Sequence, residues 1–271
     1  PPPPPSFQAE DGIRDCTRSL VGSEMCIRDS VNSYGLNDKA ELSFAGLLQQ
    51  VNAVDGIDRI RFTTSHPKDL SDELVDCFGT LEKLCKHLHL TVQCGSDRIL
   101  RALNRGYTRE RYLEIVDRLR RVCPEIRLTT DIIVGFPGES DEDFDETMTL
   151  LEKVRFAELY SFIFSPRKGT AAADLEDETP AEVKQARFDR MLAMQQDISR
   201  EIWQTDVGAV LKVLVEGESR MGGGQVFGRT SWNRIVNFTG SSELSGRIVP
   251  VRITRSYRNS LLGELSENLG R

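Results

Sequence analysis

Cysteine and histidine are the first residues to test for chemistry, because thiolates and imidazoles hold metals and act as nucleophiles or proton carriers. The chain has six Cys and three His in 271 residues. Cys77, Cys85, Cys94 and Cys123 are scattered, no two closer than Cys77 and Cys85. That is not a metal-ligand spacing, and isolated cysteines of this kind are usually small buried hydrophobes. His66 stands before Pro67 and reads equally well as a cap or a core residue, while His87 and His89 are expected to alternate on strand faces, at best one of them facing a site. No catalytic residue and no metal ligand is assigned. Ligand binding is the remaining chemistry, and it points to TTDIIVGFPGES, residues 129–140. Its apolar run, expected to be helix-covered on both faces, ends abruptly on Pro137 and Gly138. Ser140 with Asp143, ahead of Phe144, Met148 and Leu151, then reads as a capping box opening a helix. The turn therefore lies at the C-terminal end of a strand, where barrel and doubly wound α/β folds carry their ligands. A lone Gly-Phe-Pro-Gly is more often an ordinary tight turn, so its neighbours decide.

Three further stretches supply such neighbours. RIRFTTSHP, from Arg59, reads as a strand followed by apolar residues at helical spacing from Leu70 to Leu84. KHLHLTVQCGS alternates, ends in a Gly-Ser loop, and leads into helical patterning from Asp97, continued from Thr108 with Tyr112, Ile115, Val116, Leu119 and Val122 on one face. AELYSFIFSPRKGT follows the helix that ends near Val154. Four strands separated by helices make repeated βα units and a parallel sheet. VNSYGL at 31–36 looks like another such loop whose strand is missing, so the α/β part is expected to start in mid-domain. Thr179, Pro180 and Glu182 read as a second capping box, with proline at the first helical position, opening a helix to about Trp203. Its stripe of Phe188, Met191, Leu192, Ile198 and Ile202 reads as packing. From Val207, short β-rich runs punctuated by glycine indicate a small barrel of the oligonucleotide-binding sort, with a boundary near 204–208.

Composition bounds the partners. A hydrophobic content of 39% can build a core. No apolar run approaches the roughly 18 residues of a membrane helix, and the N-terminus lacks the order of a signal peptide, so a cytoplasmic, membrane-free protein is expected; separately, it is expected to be a monomer. The net charge of −7 argues against wholesale wrapping of nucleic acid, but from Thr205 onward nine Lys or Arg face six Asp or Glu. A polyanionic partner should therefore meet the C-terminal part. Residues 1–30 open on five prolines and show no period. They resemble translated sequencing-adaptor text, the alternative being a native Pro-rich tail. The segment is expected to be non-native or disordered and to pack against nothing, and Cys16 and Cys26 are set aside with it.

Taken together, VNSYG, RIRFTTSHP, HLHLTVQCGSDRILRALNRGYTRE, TTDIIVGFPGES, YSFIFSPRKGT and GRTSWNRIVNF, in this order, resemble the radical S-adenosylmethionine tRNA methylthiotransferases of the MiaB type over residues 31 to about 265. The resemblance implies an α/β fold: a partial radical-SAM (β/α) barrel lacking its first strands over 31–204, a small all-β OB-like TRAM barrel over 205–266, and a tail at 267–271. It implies methylthio transfer to C2 of an isopentenylated adenosine beside the anticodon. S-adenosylmethionine and two 4Fe-4S clusters are the implied cofactors, and a tRNA anticodon stem-loop and an unidentified electron donor the partners. TTSHP and VNSYG favour this subgroup over relatives acting on threonylcarbamoyladenosine tRNA or on a ribosomal protein. Departures matter as much. The family's Cys-x3-Cys-x2-Cys motif and its second cysteine triad have no counterpart here, and cleavage of S-adenosylmethionine needs an iron with an open position held by closely placed thiolates. The chain is accordingly expected to be a fragment, inactive alone; the competing reading is a stand-alone RNA-binding protein on a degenerate α/β scaffold. Thr91, Cys94, Lys168 and Ala171 also differ from the family's usual rim-loop residues.

On this pattern the loops at Thr63–His66, Gln93–Ser96, Asp131–Glu139 and Ser165–Thr170 converge on one rim. Gln93, Ser96 and Asp131 become partners for ribose hydroxyls or for the amino-acid end of the cofactor, and Ile133 and Phe136 an apolar wall for adenine. Gly135 and Gly138 let backbone approach the ligand, and Glu139 closes the cofactor set. In the barrel, Arg229, Trp232, Asn233, Arg234, Arg252, Arg255 and Arg258, with Phe238 and Tyr257 among them, form the expected phosphate-gripping and base-stacking surface; the alternative is an ordinary charged, solvated β face. A sheet that starts at its third strand leaves an unpaired edge at Arg59–Thr64, so protease is expected to digest the α/β part first and leave a piece beginning near Asp206.

Overall fold

The computed structural model describes residues 31–34, 42–63, 65–166, 172, 175–219 and 223–267. The expectations for residues 1–30, for Lys168 and Ala171, and for nearly all of the 267–271 tail lie outside them. The α/β unit runs α1 (Phe44–Ala53), α2 (Asp72–Thr80), β1 (His87–His89), α3 (Asp97–Ala102), α4 (Arg109–Val122), β2 (Arg127–Val134), α5 (Asp141–Val154), β3 (Glu158–Ile163) and α6 (Ala181–Gln204). The first five helices start where a hydroxyl can accept an orphan N–H: Ser43, Ser71, Ser96, Thr108 and Ser140 each do so. The box at Ser140 and Asp143 is reciprocal, as its spacing requires. The second box is absent. Pro180 itself is the N-cap of α6 and no side chain caps the helix, because Asp177 accepts from the Thr179 N–H and pairs with Lys184 instead.

The three strands are parallel, in the order β1-β2-β3. The stretch from Arg59 is not a continuous strand. It touches the neighbouring segment through two parallel bridges, Ile60 to Leu84 and Ser65 to Leu90, and the Arg59 and Arg61 side chains, on either side of the first, reach away to another part of the molecule. The sheet has unlike faces. Leu128, Ile132 and Val134 join the helix-covered core with Tyr112, Phe144, Met148 and Leu151; fully burying such a side chain contributes about 1.5–3 kcal/mol. The opposite face carries Thr129, Asp131 and Ile133, with Tyr160 and Phe162 in register beside them at 51% and 55% exposure. Helices cover one side only, as in a barrel wall rather than a doubly wound sheet.

Helix α6 extends about 36 Å at 1.5 Å per residue and packs along β3. Its buried stripe contains Lys184, Arg187 and Gln195 as well as Met191, Ile198 and Trp203, so the helix presents polar groups to its neighbours as well as apolar packing. Beyond it, β4 (Val210–Glu218), β5 (Gln225–Arg229), β6 (Ile235–Thr239), β7 (Ile248–Ser256) and β8 (Leu261–Leu265) close a barrel in the order β4-β5-β6-β8-β7. Val213, Val215, Val226, Val236, Phe238, Val251, Ile253 and Leu261 fill it, and Trp203 and Ala157 of the α/β unit belong to the same core.

Candidate functional site

The C-terminal ends of the strands form the rim. Gly135, at φ +74°, turns the chain out of β2, and a Cβ there would lie 2.7 Å from the Lys184 side chain, so both conformation and space demand glycine. The Glu139 carboxylate folds back to accept the Gly135 N–H at 2.8 Å and the Arg187 guanidinium at 3.0 Å. Arg187 also donates to the Glu139 carbonyl at 3.0 Å and to Asp141 at 2.7 Å. Burial pushes the Glu139 carboxyl above its ordinary value, against the opposing pull of the Gly135 N–H and Arg187. Four residues on, Asp143 behaves oppositely. Burial would raise it too, but hydrogen bonds from Arg98, Ser96 and Ser140 prevail and hold it well below the usual carboxylate range. Ser96 donates to Asp143 at 2.5 Å while capping α3, and Gly95 lets α5 press in, since a Cβ there would meet the Thr147 Cα at 2.5 Å.

These contacts revise the sequence-based site. Glu139 and Ser96 spend their polar atoms within the loop scaffold, Lys184 covers Gly135, and Phe136 lies in the core against Phe164 at 5.1 Å, so it offers no wall to adenine. Gly138, at φ +77°, does face open space, and Asp131 and Ile133 stay half-buried on the uncovered sheet face. Gln93 is held at φ +71°, a conformation that costs a non-glycine residue about 1–3 kcal/mol. Backbone bonds to Asp131 and Ile133, each 2.9 Å, fix it there.

His87 and His89 do not alternate. Two residues apart on a strand, they share a face, and both reach Thr129 Oγ1, at 3.3 and 2.9 Å. His89 Nε2 lies 3.3 Å from Asp131 and its ring meets Tyr160 edge-on. Burial, with Arg61 and His89 nearby, depresses His87 to about 3. His66 caps the turn at Pro67–Asp69, and burial and Arg105 lower it to about 4. The histidine spacing could have revealed the shared face.

The opposite ends of the strands carry the C-terminal barrel. Arg59 donates to the Arg229 carbonyl at 2.8 Å, Arg61 to that of Thr230 at 3.0 Å, and Trp232 Nε1 to that of Glu125 at 2.9 Å. Arg127 lies between the Trp232 and Trp203 rings, 4.5 and 4.6 Å from their centroids, and pairs with Asp206 at 2.6 Å. Arg234 lies 4.5 Å from Trp203, bonds Glu158 at 2.8 Å, and donates to the carbonyls of Tyr257 and Arg258 at 2.6 and 2.7 Å. Arg234 and Trp232 are therefore joint residues rather than open RNA contacts, and Phe238 is barrel core. Arg229 is bonded to Glu216 and Asn233, the latter in a left-handed turn at φ +67°. Arg252, Arg255 and Arg258 are exposed, with Arg252 donating to the Gly208 carbonyl at 3.1 Å. A cleft of about 720 Å³ runs between β3, α6 and the barrel.

A half-covered parallel sheet with ligand-type loops at one end and a closed five-stranded barrel at the other defines the class, and comparison with known proteins agrees. The Radical SAM superfamily matches residues 30–151 and the TRAM domain residues 204–266; the chain carries a radical SAM domain followed by a TRAM domain. It is similar to the tRNA-2-methylthio-N(6)-dimethylallyladenosine synthase of Syntrophotalea carbinolica, 62% identical over 94% of this chain and 56% of that protein. The protein of the same name from Geobacter metallireducens is 52% identical over 94% of this chain and 57% of its own length. These matches bear out the family resemblance drawn from the motifs. The chain spans about half the length of these curated relatives. Among solved structures, coproporphyrinogen III oxidase from Escherichia coli, a radical SAM enzyme, matches at a TM-score of 0.43 and 13% identity, over 73% of this chain and 49% of that one, too loosely to bear on function.

A radical SAM domain implies S-adenosylmethionine and an iron–sulfur cluster. The residues described do not fit the cluster: Cys77, Cys85, Cys94 and Cys123 are free and buried, burial pushes Cys94 and Cys123 up to about 11, and no group of three His, Cys, Asp or Glu could hold a metal among the described residues. A cluster would need thiolates from outside them. Of the rim residues expected to meet S-adenosylmethionine, Asp131, Ile133 and Gly138 are the ones left open, Asp131 with His89 Nε2 at 3.3 Å. No helix among the described residues is long and apolar enough to cross a membrane.

Proposed function

We propose that this chain supplies the rim and the RNA-binding end of a methylthiotransferase acting on C2 of an isopentenylated adenosine beside the anticodon of tRNA. The similarity to a synthase of that name, 62% over 94% of the chain, carries the reading. S-adenosylmethionine would supply the radical chemistry once a cluster is present. The chain's own part is to hold the cofactor against Asp131, Ile133 and Gly138 and to grip a tRNA anticodon stem-loop with Arg252, Arg255 and Arg258. The protein works in the cytoplasm, as a monomer, with an electron donor drawn from elsewhere. The test fuses the preceding segment of the Syntrophotalea relative ahead of Val31, incubates the chimera anaerobically with S-adenosylmethionine, reductant and isopentenylated tRNA, and digests the tRNA to nucleosides. A 2-methylthio product from the chimera, and none from this chain, is the expected result. Product only on threonylcarbamoyladenosine tRNA would move the substrate to that subgroup. Product on neither tRNA, with RNA still bound, would favour the stand-alone RNA-binding reading. Anaerobic reconstitution of the present chain with iron and sulfide should give no stoichiometric four-iron cluster; a cluster lost on replacing Cys94 and Cys123 would overturn that.

A further inference from the structure

The cleft between β3, α6 and the barrel has a composition that the joint does not explain. Its two most exposed aromatic side chains, Tyr160 on β3 and Tyr257 on the turn between β7 and β8, are both 51% exposed and both line it. Tyr160 comes from the α/β unit and Tyr257 from the barrel, so the cleft has an aromatic on each wall. Arg258, beside Tyr257, also lines it and is exposed. The turn is held from below: Arg234, itself only 3% exposed, donates to the carbonyls of Tyr257 and Arg258, and the Tyr257 N–H closes the turn on Ser260 at 2.8 Å. Arg234 thus cannot meet a phosphate, but it fixes the two residues that can meet a nucleotide.

We infer that this cleft binds an unpaired RNA base with its phosphate, Tyr160 and Tyr257 offering aromatic faces to the base, Arg258 meeting the phosphate, and Arg234 acting as a positioning residue. The inference rests on the RNA-binding reading above and assigns it a site. A volume of about 720 Å³ falls in the range that holds small organic ligands. Aromatic faces accept any base, because every base has a π face. Arg252 and Arg255, on the strand that leads into the Tyr257 turn, are exposed as well, and further phosphates would find cations there. Glu158, the acid on the cleft wall, is already paired with Arg234, so its charge does not oppose a phosphate unaided.

The test uses the full chain with a short labelled single-stranded RNA and the same sequence as a blunt duplex. Replacing Tyr160 or Tyr257 by Ala is expected to weaken the single strand about tenfold each, in line with the cost of losing one stacked base, while Tyr→Phe at either position binds like the parent. Arg258→Ala lowers the slope of log affinity against log salt by about 0.7, one single-strand phosphate. Arg234→Lys keeps the charge but loses the fork. It should speed amide exchange in the Tyr257–Ser260 turn, leave the other barrel amides unchanged, and add nothing to the loss caused by Tyr257→Ala. Thermal melts separate these effects from unfolding. If the chain binds the single strand and both Tyr→Ala variants bind equally well, or if the duplex binds as tightly, the cleft assignment fails while the RNA reading stands. If the chain binds no RNA, both fall. Unchanged amide exchange in Arg234→Lys removes the positioning role whichever way the RNA result goes.

Discussion

The two halves of the molecule solve the same problem with opposite means. The barrel pairs all five strands around a closed circuit and leaves no free edge, whereas the α/β unit ends its three-stranded sheet at β3 and leaves Tyr160 and Phe162 uncovered. Closure removes the edge that invites aggregation and unfolding. Even so, the barrel is not self-sufficient, because Trp203 and Ala157 complete its core from the other unit. Arg127, between Trp203 and Trp232, makes the joint structural for both. A protease-resistant piece should therefore begin upstream of Trp203 rather than near Asp206, which the mass of the fragment from limited proteolysis would show. A fragment starting after Trp203 and still resistant would restore the barrel's independence.

The largest effect should come from breaking the joint. Arg127→Met leaves Asp206, 5% exposed, without its partner, and removal of one member of a buried pair costs about 3–5 kcal/mol. Calorimetry should then resolve separate transitions for the two units; a single transition with little loss would mean that the coupling lies elsewhere. Next, Gly135→Ala tests the rim. A side chain at φ +74° facing Lys184 at 2.7 Å should cost about 2 kcal/mol in urea unfolding, confined to the α/β unit.

Acidity offers a finer separation. Glu139, raised by burial, takes up a proton in the folded state at a pH where the unfolded chain has released it, so its contribution falls as pH rises from 4.5 through the raised value. Asp143, lowered by its hydrogen bonds against burial, adds stability that is complete above 3.8 and lost as pH falls toward the folded value. His66, depressed to about 4 by burial, adds a loss as pH falls from 6.5 toward 4. Glu139→Gln and Asp143→Asn should each remove one of these slopes from a stability-against-pH curve of the α/β unit and leave the barrel's unchanged; an unaltered slope in either variant would detach that carboxylate from the effect. The smallest change expected is that of Ser140→Ala, about 1 kcal/mol for a lost N-cap, read as a small shift in the urea midpoint of the same unit.

The sequence by itself determined most of the elements and their order, the strand expected from Arg59 being the exception. Ser140 and Asp143, three apart ahead of an apolar stripe, specify a capped helix because the interaction is local and its partners are fixed by helical geometry. The alternation of β and helical patterns specified parallel βα units, and the glycine-punctuated runs after Val207 specified a small barrel. Local pattern failed where long-range partners compete. Thr179 and Glu182 look like a cap, but Asp177 takes the Thr179 N–H and pairs with Lys184. Only the tertiary structure decided which polar residues are free to meet a ligand. Glu139 and Arg187 are 48 residues apart, and Arg127 is separated from Trp203 and Trp232 by 76 and 105 positions. No period or motif encodes such a meeting. Arg234 and Arg258 carry the same charge in the sequence, yet packing buries the first at 3% exposure, where it organises a turn, and leaves the second in water. Burial is a property of everything folded around a side chain, and that is why composition could place positive charge in the barrel but could not say which arginines would stay in water.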